Sequence, residues 1–327
     1  MDMKSSLNKK IISIINNYFT NNVKTVQYLS DLLNLSRESV YRRLKNEIPF
    51  SFHEIVIIAS EIGMSIDEIV GYESKDRAFF DFKIFDNSGS VERYSEMMNK
   101  IIEMFYKIGN SEANTVLTMN RLPVALYVQS ENLSKFHYYK WVHQTQDIPF
   151  KTSFSEYIIP SEIISIQKKY KYVYNSINNL TIVFDNNLFR SITNSIVYYY
   201  KCNLINEDEI ILLKEELHQA IDMIESITKD KMIDSDNQKS HPDISLYLSS
   251  LDIESNSLYF NSNTEECAYY WIHSLYPIYV YNKEICKKQK DWINSLLKYS
   301  TLISKCNENI RFDCFDMQRN FIDKIKK

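Results

Sequence analysis

Glycine is scarce in this sequence, with four among 327 residues, at positions 63, 71, 89 and 109. A loop that cradles phosphate groups needs glycine, because only a backbone without a Cβ can approach the phosphate closely. We therefore expect no Gly-rich nucleotide-binding loop. The HExxH and GxSxG motifs of metalloproteases and serine hydrolases are absent as well. The sequence thus predicts no catalytic residue, no metal site and no cofactor.

Paired cysteines and long apolar runs are also lacking. The five cysteines are odd in number and none forms a CxxC pair, so we expect free thiols in a reducing cytoplasm. No apolar run reaches the ~20 residues that span a bilayer. The apolar segment near the N-terminus is interrupted by Ser13, Asn16 and Asn17, and no cleavage site follows it. These features predict a cytoplasmic protein without a membrane segment.

The composition is that of a folded protein, with 44% hydrophobic and 24% charged residues. A chain of 327 residues is too long for one small domain and suits two. Helical periodicity is lost from residue 72 to residue 90, where charges are mixed and Asn87, Ser88 and Gly89 occur. We therefore predict a small domain at 1–72, a linker at 73–90 and a large domain at 91–327.

The segment TVQYLSDLLNLSRESVYRRLKN at 25–46 predicts two short helices around a tight corner. Thr25 is placed to cap the first helix and Ser36 the second, and only Asn34 and Leu35 lie between the two helices. The residues spaced to point inward are Leu29, Leu33, Val40 and Leu44. Those on the opposite side are Arg37, Glu38, Tyr41, Arg42 and Lys45. Such a second helix has an apolar side that holds it and a polar side that can enter a groove of DNA.

Two capping boxes predict the helices that follow. Ser51 and Glu54 form the first, and Ser65 and Glu68 form the second, so residues 6–71 are predicted to form five helices. Charge is also concentrated here: residues 1–53 hold eight Lys or Arg and four acids, whereas residues 54–72 hold four acids and no base. A local basic region fits a small DNA-binding domain even though the whole chain carries a net charge of −4.

The order of these features over about residues 8–71 resembles the lambda-repressor-like, Xre-type helix-turn-helix domain. A glycine is common in the turn of that family, and Asn34, which tolerates the left-handed conformation, stands there instead. The resemblance implies that DNA meets Ser36, Arg37, Glu38, Ser39, Tyr41 and Arg42. Thr25 and Gln27 are expected to bind phosphate at the start of the first helix, and Lys45 lies on the same face as Arg42. Arg43, nearer the inward side, is either structural or a DNA-backbone contact.

The large domain is predicted to be mainly helical with a small antiparallel sheet. Helices are expected at about 91–108, 133–144, 161–178, 186–201, 207–229, 284–303 and 307–326. A strand is expected near Thr115, and alternating patterns predict four more strands in ISLYLSS, SLYFNS, CAYYWIHS and IYVYN. The fold class is therefore α+β, with an arrangement of elements similar to a GAF-like sensor domain. Residues 91–108 form either a core helix or a dimerisation helix.

These patterns together indicate a DNA-binding transcriptional regulator. The fragments LSKFHYYKW, WINSLLKYSTLIS and NENIRFDCFDMQRNFI resemble the large C-terminal region of bacterial Xre-type regulators, whose role is unassigned. The expected partners are double-stranded DNA, a second copy of the chain and an unidentified small-molecule effector. The aromatic segments 133–143 and 267–281 either line a pocket or belong to the core. The alternatives are a phage-type repressor with a self-cleaving C-terminal domain and an enzyme fused to a DNA-binding head.

Overall fold

The computed structural model describes residues 3–19, 22–62, 89–109, 113–145, 147–175, 177, 179–229, 243–263, 265–272 and 277–325. Contacts divide the chain into two compact units, Met1–Phe79 and Phe80–Lys327, and the division falls within the predicted linker. The second predicted capping box, at Ser65 and Glu68, and the predicted fifth helix lie outside the described residues. Within the described ranges, no helix is long and apolar enough to cross a membrane.

The first unit contains four described helices around one apolar core. They are α1 (Met3–Tyr18), α2 (Asn22–Leu33), α3 (Arg37–Leu44) and α4 (Phe52–Ile62). The core side chains include Ile11, Ile15, Leu29, Val40 and Ile58, which have almost no exposed surface. The inward positions predicted at Leu29 and Val40 are confirmed, and Leu33 and Leu44 pack against the same core while partly exposed. Helix α2 begins three residues earlier than predicted, so Thr25 lies inside it and the prediction that Thr25 caps it is wrong.

The second unit is built on a seven-stranded mixed sheet. Its strands are β1 (Asn114–Met119), β2 (Asn179–Phe184), β3 (Asp243–Ser249), β4 (Ser257–Asn261), β5 (Glu266–Trp271), β6 (Pro277–Val280) and β7 (Ser300–Leu302). Their order across the sheet is β6-β5-β4-β1-β2-β3-β7. Strands β1, β2 and β3 run parallel, with Val116 beside Thr181 and Leu180 beside Ile244. Every other neighbouring pair is antiparallel.

The mixed class of helices and strands is confirmed, but the small antiparallel sheet is wrong in size and in direction. Strand β2 was missed because NLTIVF is a short apolar run, which periodicity alone does not separate from a helix. Its position between β1 and β3 makes the centre of the sheet parallel. Strand β7 was missed because it lies inside the predicted helix 284–303, which ends at Lys298.

Eight helices of the second unit are described, and they accompany the sheet. They are α5 (Ser90–Gly109), α6 (Val124–Tyr127), α7 (Glu131–Gln144), α8 (Ser161–Tyr174), α9 (Arg190–Lys201), α10 (Glu207–Lys229), α11 (Lys283–Lys298) and α12 (Glu308–Asp323). Helix α5 packs against α8 and buries Tyr94, Met98, Ile101 and Phe105 in the core of its own unit. Of the two interpretations of this helix, the core helix is therefore correct.

Candidate nucleic-acid interface

The corner between α2 and α3 is fixed by local hydrogen bonds. Asn34 takes a left-handed conformation, with φ of 52°, which asparagine tolerates better than most residues. The Leu35 N–H then donates to the Ser30 carbonyl oxygen at 3.0 Å. The Ser30 hydroxyl in turn donates to the Leu35 carbonyl oxygen at 2.5 Å. The two helices are thus joined by a rigid turn without glycine.

Helix α3 starts at a capping serine, as the sequence predicted. The Ser36 side chain accepts a hydrogen bond from the Ser39 N–H at 3.2 Å. One side of the helix is buried through Val40. The opposite side consists of exposed residues, which we call the α3 face: Arg37, Glu38, Tyr41, Arg42 and Lys45. The predicted separation of an apolar and a polar side is therefore present.

Charges on the α3 face are exposed and weakly held. The Arg42 Nε lies 3.3 Å from a Glu47 carboxylate oxygen, and both side chains are about half exposed, at 51% and 54%. The Lys45 Nζ lies 5.6 Å from the centre of the Tyr41 ring. Exposed ion pairs contribute only about 0–1 kcal/mol. Arg42 can therefore exchange Glu47 for a phosphate or a base edge at small cost.

Arg43 is held in a different way from its neighbour Arg42. Its Nε and Nη2 donate to the two carboxylate oxygens of Glu54 at 3.0 and 2.9 Å, and Nη1 donates to the Ser39 carbonyl oxygen at 3.2 Å. Both side chains are largely buried, at 14% and 12% exposure. Burial alone would raise the pKa of Glu54, but hydrogen bonds from Arg43 and Ser51 outweigh it and hold that pKa below its ordinary value. Of the two roles left open for Arg43, the structural one fits: it pins α3 to α4.

The predicted capping box at the start of α4 is also formed. The Ser51 N–H donates to Glu54 Oε2 at 2.8 Å, and the Glu54 N–H donates to the Ser51 hydroxyl oxygen at 3.3 Å. Phe50 and Ile55, which take the positions of a hydrophobic staple around this box, are both buried in the core. Glu54 therefore serves two partners at once, the helix terminus and Arg43, and its second partner could not be read from the capping pattern.

A buried asparagine, missed by the sequence reasoning, holds the chain that follows α3. The Asn8 Nδ2 donates to Asn46 Oδ1 at 2.6 Å, and the Phe50 N–H donates to Asn8 Oδ1 at 3.0 Å. Asn46 has φ of 61°, so this loop, like the corner before α3, turns on a left-handed asparagine. Helix α1 thereby fixes the end of α3. No local signal marks Asn8, because its partners lie about forty residues away.

Two of the predicted phosphate contacts are not placed as expected. Thr25 is only 1% exposed, inside α2, so its side chain is not available to a phosphate and its assignment to the site is corrected. Gln27 is partly exposed, but its Nε2 donates to both carboxylate oxygens of Asp31, at 2.9 and 2.8 Å. A phosphate contact by Gln27 would first have to break these bonds, since the same amide group would make it.

The remaining predicted residues lie together around the start and the exposed side of α3. Ser36 is exposed at the cap, and Ser39 is half-buried with its N–H and carbonyl engaged by Ser36 and Arg43.

Comparison of the chain with family models, with curated proteins and with solved structures gave no match. The candidate site therefore rests on its own geometry: two exposed guanidinium groups, one ammonium, one carboxylate and one phenol on a firmly held helix.

Proposed function

We propose that this chain is a sequence-specific DNA-binding transcriptional regulator that reads the major groove with α3. The observation that carries the proposal is the α3 face. Its exposed side chains project from a short helix that is held at the corner with α2, at Arg43 and at Asn8. A recognition helix needs this combination, because the inner side must be fixed for the outer side to reach base edges in a reproducible position. We also propose that the first unit has the lambda-repressor-like, Xre-type helix-turn-helix arrangement.

The side chains of the α3 face match the chemistry of base edges and phosphates. Arg37 and Arg42 can each donate two hydrogen bonds to the O6 and N7 atoms of guanine, and Glu38 can accept one from the cytosine amino group. Lys45 follows the last residue of α3 and suits a phosphate, as a flexible point charge. In this proposal the chain acts by binding and not by catalysis.

Two copies of the chain are expected on one operator, because a single short helix reads only a few base pairs and regulators of this kind commonly pair two half-sites. The second unit would then supply assembly or ligand sensing. The GAF-like arrangement is not carried forward, because it rested on a predicted order of elements that lacked β2 and β7. The sensing role does not depend on that arrangement.

Selection of bound sequences from a random pool of double-stranded DNA by the full-length chain tests the proposal. We expect an enriched motif, and footprinting should protect two half-sites about one helical turn, ~34 Å, apart. The Tyr41→Asp variant should lose the motif because it adds a negative charge to the α3 face, whereas Lys9→Ala, on the exposed side of α1, should keep it. A pool that stays random after repeated rounds with the wild-type chain would refute sequence-specific binding. A single protected half-site would refute the dimer alone.

A further inference from the structure

The carboxyl ends of β1 and β2 form a site in the second unit. These strands are parallel neighbours, so the chain leaves both at the same edge of the sheet. Asn120 and Arg121 follow β1, and residues 185–189 follow β2 and lead directly into α9. In sheets with parallel strands, ligands bind at this edge, where loops and helix N-termini meet. This edge of the sheet is therefore suited to a small-molecule site.

Two cavities, of about 590 and 680 Å³, open at this edge. They share four lining residues, Lys140, Gln144, Ser191 and Ser195, so we treat them as one site and call it the cationic cavity. Volumes of this size are usual for sites that enclose small organic molecules. The lining comes mainly from β1, the loops after β1 and β2, helices α5 to α9 and the end of β5, and all of it belongs to the second unit.

Positive charge dominates the lining. Arg121, Lys140 and Arg190 face the cationic cavity, and no aspartate or glutamate is among the described residues that line it. Within the described part of the chain, none of these three bases forms a salt bridge with a carboxylate. Arg190 has one weak polar contact, from Nη1 to Asn187 Oδ1 at 3.4 Å, and the Lys140 Nζ lies 5.8 Å from the centre of the Tyr127 ring.

Among the described residues, the one fully buried acid is engaged elsewhere. Asp185, directly after β2, accepts hydrogen bonds from the Asn187 N–H and the Ile253 N–H, each at 2.8 Å. Both of its carboxylate oxygens thus organise the loops after β2 and β3, and Asp185 does not line the cavity. The positive charge of the cavity is therefore not neutralised from this side.

The pKa of Lys140 shows what it costs to hold this base in the cavity without an acid. Burial and the nearby Arg121 lower the pKa of Lys140 to about 8, below its ordinary value of 10.5. Burial likewise lowers the pKa of the adjacent His137 to about 3, so His137 is neutral and adds a polar ring without charge. Arg190 is exposed, so the cost falls mainly on Lys140. A base that is enclosed without an acid is expensive for a fold, since the charged form loses its water. An anionic ligand would restore the missing partner.

The rest of the lining suits the body of an organic molecule. Trp141, Tyr127, Tyr170, Phe105 and Trp271 contribute aromatic surface to the first cavity. The start of α9 adds Ser191 beside the bases, at a helix N-terminus that no side chain caps. Aromatic walls beside unpaired bases recognise a molecule that is apolar over most of its surface and charged at one end. Of the aromatic segments noted in the sequence, 133–143 and 267–281 each contribute a tryptophan to this lining.

We propose that the cationic cavity binds a small organic anion, with a carboxylate or phosphate group held by Arg121, Lys140 and Arg190 and an aromatic or aliphatic body against the tryptophan and tyrosine side chains. This gives the small-molecule effector of the regulator a chemical class. The binding itself does not depend on the first unit, so it can be measured without DNA. Failure of this test leaves DNA recognition untouched, and failure of DNA recognition leaves this site untouched.

The experiment uses the full-length chain and two fluorescent probes of similar shape, the anion 1-anilinonaphthalene-8-sulfonate and the neutral N-phenyl-1-naphthylamine. Lys140→Met removes one charge from the lining, and we expect it to weaken binding of the anionic probe about tenfold or more while binding of the neutral probe is kept. The matched control is Lys168→Met, at an exposed lysine of α8 outside the cavity lining, which should change neither. An equal effect of Lys140→Met on both probes, or no effect on either, would overturn the proposal.

A second variant guards against a trivial loss of structure. Ser191→Asp places a carboxylate among the bases, and an acid in the first turn also favours the helix. It should reduce binding of the anionic probe at least as strongly as Lys140→Met, whereas Ser161→Asp at the start of α8 should not. Displacement of the probe by benzoate or by phenyl phosphate is expected, and the stronger competitor identifies the anionic group. Equal displacement by benzyl alcohol, which lacks the charge, would contradict an anion site.

Discussion

The α3 face and the cationic cavity both present arginine and lysine, but in opposite surroundings. On the α3 face Arg42 is half exposed, and its ion pair with Glu47 is weak enough to be broken at small cost. In the cavity Lys140 is enclosed beside Arg121, and the described residues of the lining include no acid. Exposed bases suit a long polyanion such as DNA, whose contacts form and break with salt. Enclosed bases suit one small anion, because only a ligand that enters the cavity can replace the lost water.

The largest expected effect concerns the support of the α3 face. Val40→Asp buries an unpaired carboxylate in the first core and should destabilise that unit by more than about 4 kcal/mol, enough to unfold it. Tyr41→Asp is the matched control, since the same charge one residue later falls on the exposed side and should leave the melting transition in place. Thermal unfolding followed by circular dichroism separates the two. A normal transition in Val40→Asp would refute the assignment of the two sides of α3.

The next effect distinguishes two neighbouring arginines. Arg43→Ala leaves Glu54 without its bidentate partner in a largely buried place, and we expect a loss of about 2–4 kcal/mol in the free energy of unfolding. Arg43→Lys should lose a smaller part of the free energy of unfolding, because an ammonium cannot make the forked contact with the carboxylate. Denaturant titration gives both values, and the double variant with Glu54→Ala gives the coupling. A loss below ~0.5 kcal/mol in Arg43→Ala would mean that this pair does not hold α3 to α4.

In the cavity, removal of a base should stabilise the fold. Because the pKa of Lys140 is lowered to about 8 in the folded chain, the unfolded chain binds more protons between about pH 8 and 10.5, and the contribution of Lys140 to stability improves as pH rises. Lys140→Met should therefore be more stable than wild type by about 2–3 kcal/mol at pH 7, and the difference should shrink towards pH 10.

Denaturant titrations of both proteins at pH 7 and pH 10 measure this difference. Buried tyrosines and cysteines also change the stability at alkaline pH, because their pKa is higher in the folded chain than in the unfolded chain. Burial raises the pKa of Cys314, for example, from 9.0 to about 12. These contributions are common to wild type and variant, so they cancel in the comparison. Lys168→Met, at an exposed position, should stay within ~0.5 kcal/mol of wild type at both pH values. A pH-independent difference for Lys140→Met would argue against an enclosed, charged lysine.

Features set by neighbours in the sequence were predictable, and those set by distant partners were not. The caps at Ser36 and Ser51 join residues three positions apart, so the pattern of residue types reveals them. The pair of Arg43 and Glu54 spans eleven positions and the contact of Asn8 with Asn46 spans 38. Neither pair has a local signature. The position of Arg43 on α3 therefore left its role open, and the role of Asn8 was invisible.

The second unit shows the same limit on a larger scale. Strands β1 and β2 pair across about 65 positions of the chain, as Val116 does with Thr181, and no periodicity records which strand lies beside which. The cationic cavity depends on that pairing, since Arg121 follows β1 and Arg190 follows β2. From the sequence alone, each of these bases would be expected to be an ordinary charge exposed to solvent. Only the parallel neighbours at the centre of the sheet bring them to one edge.

The smallest effect on the fold, and the most direct test of DNA recognition, is expected from Arg42→Ala. Because its ion pair with Glu47 is exposed, the free energy of unfolding should change by less than ~0.5 kcal/mol. Affinity for the selected DNA should nevertheless fall by about 1–3 kcal/mol if Arg42 contacts a base, and the preference for guanine at one position should relax.

Gel-shift titration at several salt concentrations decides between the two roles open to Arg42 on the α3 face. A phosphate contact would weaken binding to all sequences alike and lower the slope of log K against log salt by about one. A base contact would leave most of that slope unchanged and alter the sequence preference. Lys9→Ala, an exposed base on α1, serves as the control and should do neither. Unchanged affinity in Arg42→Ala would remove this residue from the site and shift the reading of DNA to Arg37, the other guanidinium of the α3 face.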